Sequence, residues 1–267
     1  MRDLSRRWAW LAVLLVGLAL YVIVLRTLVR TQNPNFVPAL ILLGASVVPL
    51  AFLTFARART GRWEVPASVL VVAALFGGVI GTVVAGSLEY DTLRGLGVLA
   101  MLLVAVIEET AKLIVPAVLL FTVLLRHGRR LPTDGLVIGI AAGMGFAALE
   151  TMGYAFTALL SSDGNIGAVQ ETLFVRGLTA PAGHTAWTGL TAGALWAMAA
   201  SPNARQVLIF IGTFIGAVVL HTCWDTFGGG VIPFIILAII SLGWLLLALR
   251  HYRAFDELAG SREPLPL

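Results

Sequence analysis

Seven ionisable side chains stand inside long apolar runs of this 267-residue chain: Glu108, Glu109 and Lys112 in one run, Glu150 in the next, His184 in a third, and His221 with Asp225 in a fourth. Carboxylates and imidazoles so placed can exchange protons as general acids and bases, relay protons, or hold a metal. At roughly 3 kcal/mol for a charge at mid-bilayer, leaving all of them charged and unpaired would cost on the order of 20 kcal/mol. That exceeds the stability of a typical fold. The groups are therefore expected to be paired, neutral, metal-bound or facing water, and four helices must converge to allow it.

Spacing supports convergence. Glu108 and Lys112 are four residues apart and share a helix face, whereas Glu109 is turned about 100° away and is expected to be the freer carboxylate. His221 and Asp225 repeat the four-residue spacing, so the carboxylate can accept from the imidazole or join it around one ligand. Counted from the ends of the runs, Glu150, His184, His221 and Asp225 fall toward the outer half and the two adjacent glutamates nearer the centre. The structural alternatives are an ion pair that merely locks its helix, a packing histidine and a buried hydrogen bond. Cys223 is read as a small buried hydrophobe. His127 and His251, beside arginines at run ends, are assigned no chemistry, and Trp8, Trp10, Trp63 and Tyr252 are read as interfacial anchors.

The elements that must position these groups are membrane spans. Hydrophobic residues make up 59% of the chain and charged ones 12%, too apolar a balance for an ordinary soluble domain. Eight runs approach the ~20 residues a spanning helix requires: 8–25, 37–56, 66–86, 95–125, 135–160, 181–200, 206–227 and 231–249. An all-α polytopic bundle of about eight transmembrane helices follows, since a barrel would need short alternating segments. The whole of 1–267 reads as one membrane domain, with N-terminal spans in 8–86, a catalytic core in 95–227, a last span at 231–249 and a short polar, frayed tail at 251–267. The fourth run is long enough to bend near Pro116. Glycines at four-residue spacing (Gly135, Gly139 and Gly143; Gly189 and Gly193; Gly212 and Gly216) predict close helix contacts.

With the loops assigned alternately to two faces, Arg2, Arg6, Arg7, Arg57, Arg59, Arg62, Arg126, Arg129, Arg130, Arg205, Arg250, Arg253 and Arg262 share one, against Arg26, Arg30, Arg94 and Arg176. The positive-inside rule puts the richer face, and both termini, in the cytoplasm of a multi-pass cell-membrane protein. The net charge of +4 is this asymmetry, and a nucleic-acid partner is not implied.

The segments EETAK from Glu108, FAALE ending at Glu150, RGLTAPAGHTAW from Arg176 and HTCWD from His221 resemble, in order, the motifs of the PrsW family of intramembrane proteases. The resemblance covers about 95–227 and implies relatedness to the CAAX-protease and bacteriocin-processing group. It also implies cleavage of membrane-anchored protein substrates, such as anti-sigma factors, within membrane lipid. It carries Glu108, Glu109, Lys112, Glu150, His184, His221 and Asp225 into a catalytic set, and Arg176 into contact with substrate backbone or lipid headgroups. On the residues alone, paired carboxylates in low dielectric suit general base or acid duty, with Glu109 or Glu108 as the base and Lys112 balancing their charge. His184 and His221 can donate to an oxyanion or, with Glu150 or Asp225, hold a zinc-like divalent metal. A metal-free glutamic mechanism stays open beside it, because neither HEXXH nor a cysteine pair is present. The rival class is a proton-coupled secondary transporter with a buried Glu/His/Asp relay, against which no inverted repeat is visible. An inactive scaffold is the third.

Overall fold

The computed structural model describes residues 2–61, 65–93, 100–126, 131–227 and 231–260. Among them run nine α-helices: α1 (Arg2–Thr31), α2 (Val37–Thr60), α3 (Ala67–Leu93), α4 (Ala100–Leu125), α5 (Pro132–Ser161), α6 (Ile166–Thr179), α7 (His184–Ala200), α8 (Ala204–Phe227) and α9 (Val231–Gly260). Arg62, Trp63, Arg94, the Gly95 start of the fourth run, His127, Arg129, Arg130, Arg262 and the last seven residues lie outside the described residues.

The chain is an all-α membrane bundle. Six of the helices, α1, α2, α3, α5, α8 and α9, are long and apolar enough to cross a bilayer. The eight-span reading adds α4 and α7. The first is interrupted by Glu108, Glu109 and Lys112, and the second has 17 residues. The sequence reading omitted α6, which is only 14 residues long. The tail also differs from expectation. Helix α9 continues to Gly260, Tyr252 is buried against Gly193 rather than standing free at the interface, and the Thr133 hydroxyl donates to Asp256. Side-chain packing and this hydrogen bond hold a segment that its polarity alone would leave frayed.

Helices α5 and α7 form the most extensive pair and the hub of the bundle. Their contact is set by glycine. A Cβ on Gly139 would lie 2.4 Å from the Thr188 carbonyl oxygen, and one on Gly143 equally near that of His184. Backbones can meet this closely only where no side chain intervenes. Gly135 receives the Trp196 ring and Gly216 the Trp244 ring, whereas Gly212 has nothing within 4 Å. Helix α4 runs unbroken through Pro116. It packs against α3, α5, α7 and α8, which brings its charged turn to the bundle interior.

Candidate active site

Lys112 is the centre of the site. The chain's only lysine, it is wholly buried. Its ammonium donates to Glu109 Oε1 at 2.8 Å and to His184 Nδ1 at 2.7 Å, and lies 3.0 Å from Glu108 Oε2. Phe146 presents its ring 4.4 Å from the same nitrogen, a cation–π contact in a desolvated setting. One turn and a little more of α4 thus places both carboxylates around one cation, consistent with the cost of burying any of the three alone.

Both glutamates meet Lys112, and Glu109 is not the freer carboxylate that its 100° offset suggests. Glu109 is fully buried and fixed, its Oε1 bonded to Lys112 and, at 2.9 Å, to His221 Nδ1. Glu108 is the carboxylate that lines a cavity of about 560 Å³. Besides Lys112, its Oε2 approaches His221 Nε2 at 3.5 Å and His184 Nδ1 at 3.9 Å. The reason is rotational. The 100° step that separates neighbours on a helix carried Glu109 toward α8 and the interior, and left Glu108 on the open side.

Proton positions on the imidazoles follow from their partners. An ammonium can only donate, so His184 Nδ1 accepts. In the neutral ring Nε2 then carries the proton and faces Glu150 Oε2 at 2.8 Å. His221 Nδ1 meets the Glu109 carboxylate and must donate. Its Nε2 faces two acidic oxygens, Glu108 Oε2 and, at 3.3 Å, Asp225 Oδ2. A second imidazole proton, a protonated carboxyl or a cation offsets the repulsion among these three atoms, and the Lys112 ammonium already stands beside Glu108 Oε2.

Glu150 reaches His184 because it is two turns beyond Gly143 on α5, the glycine against which the His184 backbone rests. Its Oε2 is also 2.7 Å from Arg176 Nη2. Arg176, in the last turn of α6, therefore spends its charge on Glu150 and on the Tyr154 ring, 4.0 Å away, although it still lines the cavity. The structure thus brings all eight sequence-selected residues into one connected cluster drawn from α4, α5, α6, α7 and α8.

Three groups offer ligand atoms within 4.8 Å of one another, Glu108, His184 and His221. The set read from sequence differed, taking Glu150 and Asp225 and leaving out Glu108. In the fold Glu150 meets Nε2 of His184, and Asp225 meets the same Nε2 of His221 that Glu108 approaches.

Sequence reading missed the aromatic walls. Phe146 stands edge-on to His184 at 5.1 Å, and Trp224 and Phe234 line the cavity. A usable signal existed, since Trp187 and Trp224 each follow a site histidine by three residues, one turn on and on the same face.

A family model described as PrsW family intramembrane metalloprotease matches residues 65–249, well over half of the chain. No curated protein and no solved structure matches it.

Proposed function

Since the chain belongs to the PrsW family of intramembrane metalloproteases, we propose that it cleaves membrane-anchored protein substrates with Glu108 as the general base. The observation that carries this is Glu108 itself: of the two adjacent glutamates it is the one that lines the cavity, its Oε2 beside the Lys112 ammonium and between two imidazoles.

A substrate segment in the cavity presents its carbonyl to a water beside Glu108. The carboxylate takes a proton from that water as its oxygen bonds to the carbonyl carbon. The proton then passes to the amide nitrogen as the C–N bond breaks. His184 and His221 flank the same point, and His221, with Nε2 protonated, donates to the oxyanion that forms on addition. Lys112 and Glu109 hold the base and His221 in place. Glu150, fixed by Arg176, orients His184, and Asp225 does the same for the outer nitrogen of His221.

The donor set fits a divalent cation. A carboxylate and two imidazoles offer ligand atoms within 4.8 Å of one another, and His221 Nε2 also faces a second carboxylate, Asp225. Glu108, His184 and His221 would hold it. Bound there, it would polarise a water or the substrate carbonyl as a Lewis acid.

The arginine asymmetry supports eight crossings with both termini in the cytoplasm. Anti-sigma-factor-like proteins fit as substrates through the family resemblance.

Reconstituted protein given a labelled single-span substrate tests the reading. Wild type should cut and Glu108→Gln should not. Proton flux without cleavage would instead favour the carrier. Metal analysis of the purified protein, with a chelator arm in the same assay, decides between the metal-assisted and the purely glutamic route.

A further inference from the structure

Helix α9 lies beyond the catalytic motifs, yet it reaches the site through one hydrogen bond. The Trp187 indole Nε1–H donates to Ser241 Oγ at 3.0 Å, and both residues are completely buried. The same indole stacks on the His221 ring, with centroids 4.9 Å apart and planes at 26°. It also meets the edge of His184 at 5.3 Å and of Trp224 at 5.8 Å. Trp224 in turn packs on Phe234, two turns before Ser241 and on the same face of α9.

A buried indole needs a partner for its single donor, and leaving it unpaired carries a desolvation penalty. Ser241 is that partner, and it fixes the rotation of the ring about its own plane. Because one face of the ring backs His221, that rotation sets where His221 can lie relative to Glu108 and Asp225. We propose that Trp187 and Ser241 form a positioning clamp, through which α9 holds the imidazole of His221, and with it the edge of His184, in register with the base. This rests on the reading of Glu108, His184 and His221 as the reacting site. Neither clamp residue touches substrate in the proposal.

The test uses full-length protein in detergent or lipid with Ser241→Ala, Trp187→Phe and the double variant. Ser241→Ala removes the acceptor with little change in volume, and Trp187→Phe keeps a stacking ring without the donor. Each single variant should lower kcat about five- to tenfold, the kinetic equivalent of one net hydrogen bond, with KM unchanged. The double variant should be no slower than the worse single one. A second readout is independent of proteolysis. The chain has 4 histidines, so imidazole 15N resonances can be assigned individually. Ser241→Ala should move the His221 signals and leave those of His251 in place.

If Trp187→Phe fails to fold, Ser241→Ala still decides the matter. Unmoved His221 resonances in folded Ser241→Ala protein overturn the clamp, whether or not the chain cleaves the chosen substrate. Additive losses in kcat, or a change confined to KM, overturn it as well. Shifted resonances in protein that cuts nothing would uphold the clamp and leave the proteolytic reading to fail separately.

Discussion

The residue-scale question is why one turn of α4 carries two glutamates and a lysine. The arrangement separates two tasks that a single carboxylate would have to share. Glu109, which does not line the cavity, pairs with Lys112 and fixes His221, while Glu108, also beside Lys112, lines the cavity. Substitutions should therefore have different signatures. Glu108→Gln should fold normally and lose cleavage by at least the ~100-fold that loss of a general base implies, measured as kcat on a single-span substrate. Glu109→Gln removes a charge from the innermost part of the network. It should lower stability on the order of 3 kcal/mol, as breaking a buried ion pair does, and thermal unfolding in detergent would register this. A stable, inactive Glu109→Gln beside an active Glu108→Gln would reverse the assignment.

At the scale of elements, the site depends on how closely α5 approaches α7. Gly143 admits the carbonyl of His184, and the same stripe of α5 then delivers Glu150 to that histidine's ring. Gly143→Ala should force the helices apart, costing about 1–3 kcal/mol as overpacking does, and should reduce cleavage by moving His184 away from Glu150. Gly153 on the same helix has nothing within 4 Å of its added Cβ. Gly153→Ala should therefore leave activity intact and hold or raise the melting temperature, since alanine is the better helix former. Equal losses from the two changes would mean that helix contact does not set the geometry. Helix α6 adds a second dependence. It rests on α2, where a Cβ on Gly177 would come within 2.7 Å of the Gly44 carbonyl oxygen, and so brings Arg176 to Glu150. Arg176→Met should leave Glu150 without its cation and slow turnover. Lysine at that position should rescue only part of it, because a point charge does not reproduce a planar guanidinium over the Tyr154 ring.

For the molecule as a whole, the bundle has to admit both water and a protein segment to groups that lipid would otherwise exclude. The cavity is lined by α4, α5, α6, α7, α8 and α9, and its carboxylates, arginine and histidine are all among the residues selected from sequence. The proposed orientation, with both termini in the cytoplasm, would put the turn between α5 and α6 on the outer side, at the end of α5 nearer Glu150. Reporter fusions after Gly61 should be cytoplasmic and after Asp163 external. The opposite pattern would invert the topology and put the cavity on the inner half of the membrane.

The sequence by itself determined that the chain is a membrane bundle, because long apolar runs leave no other fold that satisfies the backbone in lipid. It also singled out the groups that the fold gathers into one cluster, since a charge inside such a run has to be compensated. The pairs Glu108 with Lys112 and His221 with Asp225 were legible for the same reason, as periodicity fixes which residues of one helix share a face. Only the tertiary structure decided how those faces are turned toward each other. The Lys112–His184 and Glu109–His221 bonds join residues far apart in sequence, and nothing in local spacing says that Glu109 rather than Glu108 faces inward. Short α6 fell below the length at which an apolar run reads as a span, and nothing in the sequence reading touched Ser241. Their parts come from contacts between helices, set by where glycine lets two backbones close and where an indole needs a partner for its one donor.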